Sequence, residues 1–391
     1  MRVLVSGAGI AGPTLAAWLT RYGMTATLVE RSPTLRTGGY VIDFWGAGFE
    51  VASRMGLLPD ILRTGYAVRE VRVVDRSGRK VSGFPAAAFA RAVGSGFTSL
   101  PRGDLAAAIY RAIGDRVETI FGDSISRIDQ TVDDVRVTFD RHGNRTFDLV
   151  VGADGLHSRV RELVFGPETQ FERYLGIKVA AFEAEGYRPR DELVYVMCPQ
   201  VGREVSRFSM RNDRTMFLFT FADADQGVPS DLAGQKAVLR ERFADGGWEC
   251  PRILHALEAA RELYFDRVSQ IEMPASWANG RVGLVGDAAF CVSLLGGQGS
   301  ALAMTAAYIL AGELHRAEGR HDEAFARYQH LFGSFVSKKQ RAARRFAGAF
   351  APKSRTSLFL RNRLFSLFSV PWIANLVASR EFSDRIALAD Y

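Results

Sequence analysis

At 391 residues the chain is long enough for two domains, or for one large domain carrying a substantial insertion. Apolar residues make up 47% and charged residues 24%, an ordinary globular balance, and the three cysteines (Cys198, Cys250 and Cys291) are far apart with no CxxC pair. That spacing argues against a disulfide framework, a zinc site or a dithiol redox centre, and it fits a reducing cytoplasm. The net charge of +7 is local: Lys338, Lys339, Arg341, Arg344, Arg345, Lys353, Arg355, Arg361 and Arg363 lie between Ser337 and Arg363 with no acid among them. A solvated helix face is expected there and not a nucleic-acid surface, since aromatic interleaving and any recognised binding module are missing.

Met1-Arg2 leads directly into Val3-Leu4-Val5, too short for a signal-peptide core and read as a buried strand over Arg2 to Ser6. No run approaches the roughly eighteen uninterrupted apolar residues of a membrane span, so no stable membrane insertion is expected. Gly7-Ala8-Gly9-Ile10-Ala11-Gly12 follows, then a helical stretch from Pro13 to Tyr22 and a second strand, Thr25 to Val29, ending in Glu30. A strand, GxGxxG turn, helix, strand and terminal acid in this order form a dinucleotide-binding unit. Gly7 permits the tight turn, Gly9 lets the backbone approach a pyrophosphate, and Gly12 lets helix and strand pack closely. The helix N-terminus offers free N–H groups to phosphate, and Glu30 is placed to accept hydrogen bonds from ribose hydroxyls. This unit alone does not separate FAD from NAD.

Val68 to Asp75 alternates like a strand, with a turn at Ser77-Gly78. Phe147 to Gly155 is a second buried strand ending in an acid and glycine, Asp154-Gly155, and opening toward a helix through His157-Ser158-Arg159-Val160-Arg161. Strand-like runs over 192–198, 203–210 and 214–221, a helix near 231–243 and a strand over 263–271 predict an antiparallel sheet with helices. The aromatics Phe208, Phe217, Phe219, Phe221 and Tyr264 there are candidates to line a pocket, or else ordinary sheet core. Gly280 to Ala289 is a third strand–glycine–acid unit, with Asp287 at the strand end. Gly296-Gly297-Gln298-Gly299 then opens a helix of small and apolar residues, Ser300 to Arg316. From Arg341 onward two helices are expected, broken near Pro352 and Pro371, with an apolar set that includes Leu358, Phe359, Leu360, Leu364, Leu367 and Trp372. The histidines form no metal-like grouping.

GAGIAG with Glu30, GADGLHSRVR and GDAAFCVSLLGGQG, in this order and spacing, resemble the class A flavoprotein monooxygenases of the para-hydroxybenzoate-hydroxylase-like fold, over roughly residues 1 to 345. The resemblance implies an α/β fold in which a Rossmann-type FAD-binding domain (1–67, 98–170 and 272–345) carries an inserted antiparallel-sheet substrate domain (68–97 and 171–271) and a C-terminal helical segment (346–391). It implies FAD as cofactor, with NADPH or NADH as transient reductant. Gly7, Gly9, Gly12, Glu30 and Arg31 would form the adenosine side of the site. Arg36 with Gly38-Gly39 and Asp43 would form the flavin-contacting loop, and Arg102 a further FAD-contacting arginine. Asp154 would support both FAD and NADPH use, Asp287 would hold the ribityl chain, and Gly297, Gln298 and Gly299 would lie against the ring.

Activity in such enzymes passes one oxygen atom from O2, through a flavin C4a-hydroperoxide, to an electron-rich ring or enol carbon, so no dedicated acid or base is nominated. The expected substrate is an aromatic or polyketide-like small molecule, and the expected assembly a monomer or homodimer. The C-terminal helices and the stretches 243–253 and 306–314 are similar to the tetracycline-inactivating branch, which makes tetracyclines candidate substrates. Two departures stand out: Phe290 where the family has His, and Leu294 where it has Pro. Leu294 keeps open a dehydrogenase or reductase of the same fold, and a non-catalytic flavoprotein is a further alternative.

Overall fold

Val3, Leu4 and Val5 are fully buried in the strand Arg2–Ser6, near the middle of a six-stranded sheet. The strand order is Ala278–Asn279, Val282–Leu284, Leu149–Gly152, Arg2–Ser6, Thr25–Glu30 and Glu118–Phe121. All neighbours are parallel except the first pair. Continuous apolar runs such as Leu149-Val150-Val151 are what a parallel sheet covered on both faces requires. Helices Ala11–Arg21 and Gly299–Arg316 pack together beside it, with Trp18 edge-on to Tyr308 at 4.7 Å. The chain visits opposite sides of Arg2–Ser6 in turn, which makes this strand the switch point of the sheet. The computed structural model describes residues 1–36, 40–93, 96–367 and 386–391.

A second sheet of seven strands runs Tyr264–Ile271, Glu172–Glu185, Arg214–Ala222, Arg203–Ser209, Val194–Gln200, Glu70–Val74 and Lys80–Pro85. It is antiparallel except where Val194–Gln200 lies parallel to Glu70–Val74. The antiparallel sheet expected from sequence is present, and the one parallel pair joins two strands that come from separate stretches of chain. The strand Glu172–Glu185 escaped the sequence reading. It is flanked by strands on both sides and buried continuously from Ile177 to Phe182, so it shows no alternation to detect.

Side chains alternate between the two faces of this sheet. Val196, Cys198, Val205, Phe217, Phe219 and Phe221 pack under helices Leu232–Phe243 and Cys250–Ala259. The three strand phenylalanines named as possible pocket residues are therefore core, on the face turned away from the first sheet. The opposite face carries Tyr195, Phe208 and Met216, which meet Val41 and Tyr66, and Val179 and Leu218, which meet Leu294 and Leu295. Between the two sheets sits the antiparallel pair Val41–Trp45 and Phe97–Pro101.

After the 30-residue helix His321–Phe350 the chain breaks at Pro352, as expected, and continues as helix Arg355–Leu367 against the second sheet. Pro371 and Trp372 lie outside the described residues. Residues 386–391 return to helices Ala47–Arg54 and Gly299–Arg316. The Tyr391 hydroxyl donates to Glu313 at 2.8 Å, and Arg54 Nη1 donates to the Ala389 carbonyl at 3.0 Å and to Asp390 at 2.8 Å. The basic stretch is not one solvated face: Lys339 and Arg361 are buried, and Arg344 pairs with Glu272. Charge spacing along a sequence cannot show which lysines and arginines face a second sheet.

Candidate cofactor cleft

Loops leave the C-terminal ends of four neighbouring parallel strands at Gly7, Arg31, Ala153 and Val285, and open sheets bind ligands at that end. Gly7 has φ +106°, and a Cβ there would lie 2.5 Å from the Ala153 carbonyl oxygen, so the first and third loops touch only because this residue is glycine. At Gly12 a Cβ would lie 1.9 Å from the Gly7 oxygen. Gly9 differs. Its nearest neighbour would be Arg102 Nη2 at 3.5 Å, so protein packing does not demand a glycine there and the space above it is open.

The helix Ala11–Arg21 begins with no side-chain cap and no acid in its first turn, leaving its N–H groups and positive dipole end free for an anion. Arg102 opens the helix Arg102–Ile113, and its backbone N–H donates to Tyr40 O at 3.0 Å. Its guanidinium makes no hydrogen bond or ion pair with the described residues. Glu30 accepts from the backbone N–H groups of Ala8 and Ser32, each at 2.9 Å, and lies 3.7 Å from Arg36 Nη2. Each carboxylate oxygen keeps a lone pair for a further donor. Arg31 and Arg36 are exposed at the mouth, and Gly39 lies outside the described residues.

Asp154 is half-buried and holds its own loop. Its oxygens accept from the Ser158 hydroxyl at 2.5 Å and the Val160 N–H at 3.1 Å, which fixes the start of helix Arg159–Phe165. Burial raises its pKa, and the Ser158 hydrogen bond opposes that rise. Arg161, fully buried, donates to Ala288 O at 2.9 Å and to Glu168 at 2.8 Å, wiring this loop to the one after Val282–Leu284. His157 bridges Glu168 at 2.9 Å and Asp266 of the second sheet at 3.3 Å; these two acids push its pKa up to about 9.

Asp287 follows Gly286 (φ +66°) at the end of Val282–Leu284. Burial raises its pKa while the Arg102 charge pulls it down, so the two groups sense each other across the cleft. A Cβ on Gly299 would lie 3.9 Å from Asp287 Oδ1 and touch nothing closer. Ser293 is held at φ +110°, a strained value for a serine, and its hydroxyl accepts from Leu295 N–H at 3.2 Å. Gly297 (φ +64°) sits over Trp45, and Gln298 is buried just before the Gly299–Arg316 helix. Phe290 packs between Trp277 at 4.9 Å and Phe332 at 5.4 Å, so its ring completes the core.

Asp43 accepts from the Ser99 hydroxyl, and burial raises its pKa. Tyr40 and Tyr264, one from each side of the cleft, bring their rings to 5.7 Å. The fold thus gathers Gly9, Arg102, Asp287 and Gly299 around one opening, sets Glu30 and Arg36 at one end, and ties Asp154 to Ser158 and Val160 in the loop beside Gly7. Tyr40, Tyr195 and Asp266 were missed by the motifs. Tyr40 and Asp266 bracket the cleft without belonging to any glycine-rich turn, and Tyr195 becomes visible only when its strand is paired.

Residues 1–331 match the family described as FAD binding domain. A flavin-dependent monooxygenase of Legionella longbeachae serogroup 1 is 35% identical over 349 residues, covering 87% of each chain. The chain belongs to the flavin-dependent monooxygenases. An uncharacterized protein of Mycobacterium tuberculosis is 41% identical over 350 residues, covering 86% of this chain and 91% of its own. The crystal structure of tetracycline destructase Tet(51) aligns with a TM-score of 0.84 at 32% identity, over 100% of this chain and 99% of that one. Klebsiella pneumoniae HpxO, complexed with FAD and uric acid, aligns with a TM-score of 0.81 at 24% identity over 99% and 98% of the chains, a likeness of fold. As a flavin-dependent monooxygenase the protein uses FAD, with NAD(P)H as reductant. Among the described residues no helix is long and apolar enough to cross a membrane.

Proposed function

We propose that this monooxygenase transfers one oxygen atom from O2 to a phenolic or enolic polycyclic small molecule, with tetracycline-type compounds as the first candidates. The observation that carries the cofactor placement is the Arg102 guanidinium, without a hydrogen-bond or ion-pair partner among the described residues, beside Gly9 and the uncapped start of helix Ala11–Arg21, a ready site for a pyrophosphate. Glu30 keeps lone pairs for ribose hydroxyls, and Asp287, half-buried and close to the open side of Gly299, suits a ribityl hydroxyl. Gly297, Gln298 and Gly299 lie beside a flat ligand, with the start of an 18-residue helix behind them. Asp43 closes the far side, and Arg31 and Arg36 neutralise charge at the mouth. Asp154 acts by holding its loop. The residues present fit FAD, which supplies the oxygen activation once reduced.

The chain's own contribution is placement and exclusion of water. Tyr40, Tyr264, Leu218 and Leu294 make the walls between the sheets predominantly apolar, which keeps the reacting centre dry. No side chain is required to move a proton at the reacting carbon. Likeness to Tet(51) along the whole chain, helix Arg355–Leu367 included, supports a tetracycline-like substrate. Three buried thiols support a reducing cytoplasm. The test is NAD(P)H oxidation by FAD-loaded protein in air, with tetracyclines and phenols, following product mass. Ligand-stimulated turnover with one oxygen added is the expected result; stimulated turnover with no oxygen added would move the reading to a reductase.

A further inference from the structure

Helix Arg355–Leu367 lies against the edge strand Lys80–Pro85 of the second sheet with its two sides reversed from the usual order. Leu358, Arg361, Asn362 and Phe365, three and four residues apart, form its inward face. At the centre of that face Arg361 pairs with Glu204, and both side chains are buried, 5% and 3% exposed. Phe365 meets Phe84 edge-on at 5.9 Å, and the Ser82 hydroxyl donates to Asn362 O at 2.6 Å. These contacts fix the roll of the helix. Half a turn about its axis would set leucines on the sheet and the arginine in water. The ion pair opposes that turn, since Glu204 would be left charged and dry.

The outward face therefore carries the apolar residues. Phe359, Leu360, Leu364 and Leu367 fall on one side of the helix and are 60%, 57%, 50% and 42% exposed. Thr356 and Arg363 share this side, and the Arg363 guanidinium lies over the Phe359 ring at 5.2 Å. Lys353, Arg355 and Arg363 are exposed, and none pairs with an acid among the described residues. The sequence holds no acid from Ser337 to Arg363 that could do so locally. Other exposed large apolar residues, such as Leu62 and Val132, stand singly in separate parts of the chain. The four side chains together expose on the order of 400 Å². That is about half of what each partner buries in a stable protein–protein interface.

We propose that this face docks on an anionic lipid bilayer, with the helix lying in the membrane plane. Area and charge together select the partner. The patch is too small to hold a second copy of the chain, whereas a bilayer takes up apolar side chains without needing a complementary shape. Phe359, Leu360, Leu364 and Leu367 enter the boundary between headgroups and acyl chains. Arg363 extends along the Phe359 ring to a lipid phosphate, and Lys353 and Arg355 at the helix start add attraction to the negative surface. The contact is reversible and superficial, in keeping with the lack of any helix long and apolar enough to span a membrane among the described residues. It goes beyond the monooxygenase reading and does not depend on it.

Flotation of the FAD-loaded full chain with phosphatidylglycerol vesicles, and with phosphatidylcholine vesicles, tests it. Wild type should float with phosphatidylglycerol, bind phosphatidylcholine at least about fivefold more weakly, and release as salt is raised. R355Q/R363Q should weaken phosphatidylglycerol binding by about 10- to 30-fold, at roughly fivefold per cation. F359S/L360S should abolish flotation on either lipid, a loss of about 100-fold or more. Leu62→Ser, an exposed apolar residue on another helix, should leave flotation as it is. The substituted side chains are exposed, so both double variants should keep the wild-type melting temperature, which separates lost docking from lost folding. Absence of wild-type flotation with phosphatidylglycerol, or equal flotation of F359S/L360S, overturns the proposal. So does a wild-type dimer, seen by light scattering, that becomes monomeric in F359S/L360S, since the face would then join two copies. Oxygen insertion is read separately by product mass, so either reading can fall alone.

Discussion

Gly12 lies so close over Gly7 that a Cβ at position 12 would come within 1.9 Å of the Gly7 carbonyl oxygen, whereas Gly9, between them, has free space around it. Two glycines of one motif therefore answer to different demands. Gly12→Ala strains the protein itself and should lower the melting temperature of apo and FAD-loaded protein alike, by the several degrees that overpacking of about 1–3 kcal/mol produces. Gly9→Ala should leave the apo protein's melting temperature within a degree or so while weakening FAD markedly, since the added methyl enters ligand space. Thermal melts of stripped and reloaded protein decide it. A Gly9→Ala variant that destabilises the apo protein as much as Gly12→Ala would show that position 9 is a packing glycine too.

Asp287 is a half-buried carboxylate whose pKa is raised by desolvation and held down by Arg102. Removing it should cost the ligand and not the fold. Asp287→Ala is expected to raise the FAD dissociation constant about tenfold or more, the range for a hydrogen bond to a charged group. Apo stability should be unchanged or slightly higher, because an unfavourable desolvated charge is gone. FAD titration of the stripped variant measures the first, and chemical denaturation the second. Full FAD occupancy at wild-type affinity would remove Asp287 from the site.

His157 joins the loop after Leu149–Gly152 to the second sheet through Glu168 and Asp266, with Arg161 and Arg267 paired to Glu168. Its pKa rises from 6.5 to about 9, so the folded state binds the proton more tightly than the unfolded state. The resulting stabilisation is complete below about pH 6.5 and is lost as pH climbs through 9. His157→Gln should therefore lower the melting temperature clearly at pH 6 and much less at pH 9.5. The imidazole is partly exposed, and solvent screening keeps the effect modest. Equal losses at the two pH values would mean that the charge is not what joins loop and sheet.

Gly312 supports the last residue of the chain. A Cβ there would lie 2.2 Å from the Tyr391 ring, whose hydroxyl donates to fully buried Glu313. Gly312→Ala should expel the ring and strip Glu313 of this donor, costing about 2–3 kcal/mol. The released tail should become a substrate for carboxypeptidase, read by mass spectrometry. A tail equally protected in variant and wild type would show that Tyr391 is not held by this contact.

The first sheet and its loops were legible because the requirements are local: a glycine where φ is positive, an acid at a strand end and an apolar run between. Those rules located Gly7, Gly9, Gly12, Glu30 and Asp287 at the loops where the fold has them. They also picked out Asp154, though not its hydrogen bonds to Ser158 and Val160, which depend on how the following helix starts. Phe217, Phe219 and Phe221 were visible as a strand, yet which face they occupy depends on helices that pack from farther along the chain. Glu172–Glu185, without alternation, stayed hidden. Arg361 read as one more surface cation, because its burial comes from a sheet some 150 residues earlier in the chain.

The two-residue alternation of the second sheet separates two tasks that a helical wall would mix. Tyr195, Met197, Ser206 and Leu218 stand on the face turned toward the first sheet, while Val196, Cys198, Val205 and Phe217 between them pack under the two covering helices. Changes at the first set bear on the contact with the first sheet and its loops, and changes at the second on the packing of the covering helices. A lineage carrying this sheet can therefore vary either contact one position at a time, with the other left as it is.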